Sequence, residues 1–229
     1  MNNSLLYKEL EDKEVKDFIE KIPTHIKDKC RFRKIEKGKL VVLKGNNIED
    51  VYIHCQGKMQ VKNEFENGFV YSFANIRPIA YIGAMEIMAH QKTYSSTLQT
   101  TTECIILEIP KIYLINWINS DHKLTLEVLN FISKSMYDQS LKTGEVLAYP
   151  AICTLTNYLV NVYESENKDM VFLEKTREEI GSILGFSVRT INRNLKELKD
   201  ENLITVSRKG IYITKEQFNK LLNKLESIK

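Results

Sequence analysis

Arg189, Asn192, Arg193 and Lys196 stand at i, i+3, i+4 and i+7 and so share one polar face of a helix. A guanidinium pairs bidentately with guanine O6 and N7 and an amide with adenine, so this face suits a DNA major groove. Ile191, Leu195 and Leu198 recur on the opposite face and would anchor the helix to a core. The residues just ahead would position it. Thr176 and Glu179 make a capping pair at the start of a preceding helix, and Ile180, Ile183 and Leu184 give that helix an apolar side. Gly185 suits a positive-φ turn, and Ser187 can cap the second helix. The pattern reads as a helix-turn-helix with Arg189, Asn192 and Arg193 as base readers. An amphipathic helical hairpin with merely solvated charges has the same periodicity.

Downstream, Leu203, Ile204 and Val206, the run Ser207-Arg208-Lys209-Gly210, and Ile211, Tyr212 and Ile213 read as a hairpin whose basic tip would lie near phosphates. Thr214 and Gln217 form another capping pair, opening a last helix with Phe218, Leu221, Leu222 and Leu225 on one side. Charge is concentrated rather than general. The net charge of the chain is only +3, yet residues 187–210 hold six basic against three acidic side chains.

The front of the chain has a different texture. From Arg31 to Ile109, short apolar or alternating runs such as KLVVLKGNN, DVYIHCQGKMQV and ECIILEIP are punctuated by glycines, and Asn67-Gly68 is a hairpin signal. The fold class expected is α+β: an N-terminal antiparallel β-roll of jelly-roll type with flanking helices, a long helix, and a C-terminal winged helix-turn-helix. Between strands, Gly83 precedes a short helical pattern and Tyr94-Ser95-Ser96 precedes the next strand, small donors that would make an anion-receptive cassette.

From about 121 to 146 the chain reads as one helix. Leu129, Ile132, Met136, Gln139, Thr143 and Val146 recur at alternating three and four spacing, a coiled-coil seam for a homodimer. About 25 residues at about 1.5 Å rise span about 37 Å. A helix packed on its own domain would carry a similar stripe. Tyr149-Pro150 ends the run. The domains expected are 1–119, the roll with an N-terminal helix; 120–149, the long helix and hinge; and 150–229, the winged helix-turn-helix.

With 229 residues, 43% of them hydrophobic, the chain can bury a core. Neither a bilayer-spanning apolar run nor a secretory start is present, so a cytoplasmic location without a membrane partner is expected. Cys30, Cys55, Cys104 and Cys153 are scattered without a C-x-x-C pair, and His25, His54, His90 and His122 lack ligand spacing. No metal, cofactor or catalytic residue is expected.

In its whole order the chain resembles the Crp/Fnr family of transcription regulators, over nearly every residue after Cys30. The resemblance rests on Lys44-Gly45-Asn46, Tyr52-Ile53-His54-Cys55-Gln56-Gly57, the cassette at Ile82-Gly83, Thr176-Arg177-Glu178-Glu179-Ile180-Gly181, and Ser187-Val188-Arg189-Thr190-Ile191-Asn192-Arg193. The stretch IGAMEIM is similar to the YeiL-like branch.

The resemblance implies a homodimer on a double-stranded DNA operator, with RNA polymerase as a partner if it activates. It implies phosphate contacts from Thr176, Arg177, Ser187, Thr190, Lys196, Arg208 and Lys209. Cyclic-AMP binders of the family carry a Glu after the cassette Gly and an Arg before the Ser, where this chain has Ala84 and Tyr94. A cyclic phosphate would lose a charge-assisted partner worth about 1.5–3 kcal/mol, which argues against cyclic AMP as effector. Where relatives carry a Glu on the reader helix, this chain has Arg189.

An unidentified small-molecule effector would meet Tyr81, Gly83, Ala84, Met85, Tyr94, Ser95, Ser96, Met136 and Tyr137, though the larger of these would equally fill a core. A redox switch at one of the cysteines and an effector-independent regulator are alternatives. So is a metal-dependent cupin-like enzyme, which would need convergent ligands that His54 and His90 do not supply.

Overall fold

The computed structural model describes residues 3–65, 70–166, 168–207 and 209–228. The chain divides into two compact units, one made of Met1–Glu64 and Ala74–Tyr137, the other of Phe65–Phe73 and Asp138–Lys229.

In the first unit, α1 (Asn3–Glu9), α2 (Lys13–Glu20) and α3 (Thr24–Lys27) precede the roll. Asp12 caps α2 by accepting the N–H groups of Glu14 at 2.8 Å and Val15 at 3.4 Å, and Val15, Phe18 and Ile19 turn inward. The roll strands are β1 (Arg31–Ile35), β2 (Leu40–Val42), β3 (Asp50–Gln56), β4 (Met59–Glu64), β5 (Val70–Ile76), β6 (Ala80–Ile82), β7 (Thr97–Thr100) and β8 (Cys104–Pro110), with α4 (Ala84–Met88) between β6 and β7. They form two four-stranded sheets, in the orders β1-β8-β3-β6 and β2-β7-β4-β5.

Position in the sheet explains the texture of each strand. β8 lies between β1 and β3, and its Cys104, Ile105, Ile106 and Leu107 are all buried, hence its unbroken apolar run. β4 alternates, with Met59 and Val61 inward and Gln60 and Lys62 half-exposed. Gly57 must be glycine, because a Cβ there would stand 2.3 Å from the Glu103 carbonyl oxygen at a φ of +94°. The Asn67-Gly68 hairpin signal lies outside the described residues.

After α5 (Lys111–Ser120) comes the long helix α6 (His122–Ala148), 27 residues. The remaining elements are α7 (Ala151–Glu166), β9 (Met170–Leu173), α8 (Arg177–Leu184), α9 (Val188–Asp200), β10 (Thr205–Val206), β11 (Ile211–Thr214) and α10 (Lys215–Ile228). β11 sits between β10 and β9, antiparallel to both. Leu203 and Ile204, expected to begin a strand, instead enter the core ahead of a two-residue β10. That core joins Leu155 and Leu159 of α7, Ile180 of α8, Ile191, Leu195 and Leu198 of α9, and Leu221 of α10. The fold is α+β, a β-roll with flanking helices followed by a winged helix-turn-helix.

Candidate functional site

The reader helix is set by local chemistry at each end of its turn. Glu179 donates its backbone N–H to Thr176 Oγ1 at 3.1 Å, and Thr176 donates its own to Glu179 Oε2 at 2.8 Å, so two orphan donors of α8 are satisfied reciprocally. Gly185 ends α8 at a φ of +78°, and Ser187 Oγ caps α9 by accepting the Thr190 N–H at 3.1 Å. Gly181 shapes the turn, and periodicity did not mark it. A Cβ there would lie 2.6 Å from the Phe186 carbonyl oxygen, so its bareness fixes how tightly the turn folds back on α8.

Ile191, Leu195 and Leu198 are buried behind α9, while Arg189, Asn192, Arg193 and Lys196 are exposed in front. Among the described residues no ion pair engages Arg189, Arg193 or Lys196. Nearby acids are paired elsewhere: Lys224 of α10 sits 3.4 Å from Glu197 on the same helix and 2.7 Å from Glu201, which caps its C-terminus. The result is a face of uncompensated positive charge with an amide in its middle. Thr176, Ser187 and Lys209 are exposed, and Arg177 and Thr190 are half-buried. In the wing, Ser207 donates its N–H to the Gly210 carbonyl at 2.9 Å, which tightens the tip beside Lys209. Arg208 lies outside the described residues.

The cassette is built from β6, α4 and the loop before β7. Gly83 opens α4 at a φ of +94°, and a Cβ there would stand 3.2 Å from the Tyr94 ring. Tyr94 donates its hydroxyl to the Asp50 carbonyl at 2.7 Å, and burial, then Tyr52, raises its pKa above the ordinary phenol value. The small donors expected to receive an anion are present but already engaged. Ser95 gives its N–H to Glu86 Oε1 at 3.1 Å and its hydroxyl to the same oxygen at 2.7 Å. Glu86, a buried acid on α4, was not legible from spacing; its one signal is a carboxylate amid the apolar run AMEIM.

The nine effector-cassette residues divide by exposure. Tyr81, Gly83, Ala84, Tyr94 and Ser96 are buried, Met85 and Ser95 are exposed, and Met136 and Tyr137 are exposed on α6. A cavity of about 340 Å³ lies elsewhere in this unit, lined by Tyr7, Ile19, Lys27, Cys30, Phe32 and Leu107 among others.

Along α6 the exposed positions trace a heptad: Leu126, Leu129, Ser133, Met136, Ser140, Thr143 and Leu147. It shares Leu129, Met136 and Thr143 with the expected seam. Ile132 and Gln139 are half-buried, and the Val146 side chain lies outside the described residues.

All four cysteines are buried, and burial pushes the Cys30 and Cys55 thiols up to about 12. Cys104 is raised as well, again by burial. His54 is fully buried, and desolvation lowers it to about 4. Among the described residues no group of three His, Cys, Asp or Glu could hold a metal, and no helix is long and apolar enough to cross a membrane.

A β-roll followed by a winged helix-turn-helix whose second helix exposes two arginines is the architecture of the two-domain transcription regulators. Residues 32–121 match the cyclic nucleotide-binding domain family, and residues 155–226 match the Crp-like helix-turn-helix domain family. The cAMP-activated global transcriptional regulator CRP of Salmonella typhimurium is 22% identical over 188 residues, which cover 80% of this chain and 90% of that protein. The HTH-type transcriptional regulator ArcR of Staphylococcus aureus is 23% identical over 227 residues, 95% and 94% of the two chains. The fold is similar to that of the c-di-GMP responsive global regulator CLP of Xanthomonas campestris, with a TM-score of 0.73 at 18% identity over 89% and 99% of the chains. The chain belongs to the Crp/Fnr family. It is a transcription regulator and not an enzyme.

Proposed function

We propose that the chain works as a homodimer on a palindromic double-stranded DNA operator, reading bases with Arg189, Asn192 and Arg193. Thr176, Arg177, Ser187, Thr190, Lys196, Arg208 and Lys209 supply phosphate contacts that fix the dock without reading sequence. The observation that carries this reading is the exposed face of Arg189, Arg193 and Lys196, engaged in no ion pair among the described residues and backed by Ile191, Leu195 and Leu198 in the core. Two such helices in one dimer would enter successive major grooves about 34 Å apart. The exposed heptad from Leu126 to Leu147 supports pairing through α6, because leucines and a methionine at 50–82% exposure gain by burial against a second copy.

Selection of bound DNA from a random pool tests the reading. An inverted repeat with half-sites about one helical turn apart is expected, and Arg193→Ala should weaken the selected site by about 1–3 kcal/mol while leaving non-specific binding nearly unchanged. Equal losses on both DNAs would refute base reading at that position.

The roll receives a signal other than cyclic AMP. Ala84 and Tyr94 at the cassette, and the commitment of Ser95 to Glu86, support this reading. The corresponding measurement is operator affinity with and without cyclic AMP, with no change expected. RNA polymerase becomes a partner where the operator position makes the protein an activator, and the proposed workplace is the cytoplasm.

A further inference from the structure

Glu86 is 8% exposed, and among the described residues it forms no ion pair with a basic group. A carboxylate taken out of water needs either a cation or several donors. Glu86 takes donors: one of its oxygens, Oε1, receives both the N–H and the hydroxyl of Ser95, at 3.1 and 2.7 Å. These donors come from a loop nine residues further on, so they do not cap α4; they cross the cassette to reach it. The residue just before Ser95 is tied down, because Tyr94 donates its hydroxyl to the Asp50 carbonyl at 2.7 Å and its ring lies so close that a Cβ on Gly83 would stand 3.2 Å from it. The cassette is thus a preorganised holder for one anionic oxygen, and the chain fills it from within.

We propose that Glu86 is the specificity-determining residue of the cassette: its carboxylate is a built-in occupant of an oxyanion-holding site, and the site takes a small external carboxylate or phosphate only when that side chain is removed. Ser95 has one N–H and one hydroxyl proton to give. Both are spent on Glu86, so an acidic ligand entering the native cassette would find both Ser95 donors engaged and would meet a resident negative charge. Residues that hold an anion in a ligand-binding cassette hold the protein's own anion here, which makes the folded cassette independent of an acidic ligand. The proposal deepens the reading of this cassette as a sensor, but its binding claim stands whether or not the cassette controls DNA affinity.

Chemical rescue of the full-length protein tests it. Glu86→Ala should melt several degrees below the parent, and acetate or inorganic phosphate, compared with chloride at equal ionic strength, should raise the variant's Tm saturably while leaving the parent unmoved. Glu86→Gln, whose amide oxygen still accepts from Ser95, should respond to neither anion. The double variant Glu86→Ala/Ser95→Ala should lose the rescue. An unresponsive Glu86→Ala, or a parent that responds to the same anions as the variant does, overturns the proposal. If Glu86→Ala does not fold, the Ser95 amide resonance of the parent decides: a signal unmoved by added phosphate supports the assignment, and one that titrates overturns it. Operator affinity of Glu86→Ala with and without acetate separates the two claims. Rescue of Tm with no change in DNA binding supports the site and removes the sensor reading.

Discussion

Tyr81, two residues before the cassette glycine, donates its hydroxyl to Glu127 Oε2 of α6 at 3.3 Å. Its ring meets Phe131 of the same helix edge-on at 5.5 Å and Phe18 of α2 at 5.8 Å. One side chain therefore ties the cassette strand to the long helix and to the N-terminal helices. Burial, with Glu127 beside it, raises the phenol's pKa well above its ordinary value. Truncation and deletion of the hydroxyl should separate cleanly. Tyr81→Ala removes a buried ring and should cost about 3–5 kcal/mol, whereas Tyr81→Phe keeps the ring contacts and should cost about 0.5–1.5 kcal/mol. Urea denaturation of the two variants measures both.

The turn of the helix-turn-helix should be intolerant of a single methyl group. Gly181→Ala would bring a Cβ to within 2.6 Å of the Phe186 carbonyl oxygen, a backbone atom that cannot swing aside. Gly185→Ala would meet a φ of +78° instead, a strain of about 1–3 kcal/mol. Both variants should lose operator affinity along with stability. A Gly181→Ala protein with parental melting and parental DNA binding would show that the close approach does not govern the reader helix.

That turn also shows what the amino-acid order alone could reveal. Thr176 with Glu179, Gly185, Ser187, and Thr214 with Gln217 act on neighbours three or four residues away, and each stands in the role its local spacing implied. β9 was missed because its partner β11 lies some forty residues on, and MVFL carries no turn signal of its own. The Glu86–Ser95 pair was missed for a similar reason: the loop between them decides which donors reach the carboxylate. Leu203 and Ile204 looked like a strand because an apolar run says that a segment is buried, not whether it pairs.

Lys196 should behave differently from Arg193. Placed as a phosphate contact one turn along the exposed face, it carries charge but no base-specific geometry. Lys196→Ala should weaken selected and unselected DNA alike, and the slope of log affinity against log salt should fall by about 0.9. Binding titrations across a salt series check this. A loss confined to the selected site would make Lys196 a base reader.

Oxidation should leave DNA binding unchanged. Thiolate is the reactive form of cysteine, and burial with thiol pKa values near 12 leaves Cys30 and Cys55 almost wholly protonated at neutral pH. Cys104 is raised and Cys153 is buried. Native protein should therefore react slowly with a thiol reagent and release its full complement only on unfolding. Operator affinity that falls after peroxide treatment and recovers with dithiothreitol would restore the redox reading.

Acid should destabilise the roll through His54. Its Nε2–H donates to the Gln56 carbonyl at 3.0 Å, which leaves Nδ1 unprotonated, buried and, among the described residues, without a hydrogen-bond partner. Desolvation lowers the folded pKa from 6.5 to about 4, so the fold favours the neutral ring. Above pH 6.5 the ring is neutral in both states and stability does not change with pH on its account. Between pH 6.5 and about 4 the unfolded chain binds a proton that the folded chain refuses, so stability falls as pH falls, by about 1.4 kcal/mol per pH unit. Below about 4 the folded ring charges too and the loss levels off. Carboxylates titrate in the lower part of this window, so the parent must be compared with His54→Gln, whose amide can still donate to Gln56. Urea melts from pH 7 to pH 4 should show the parent losing stability more steeply than the variant between pH 6.5 and 5. Parallel curves would mean that His54 is not held neutral by the fold.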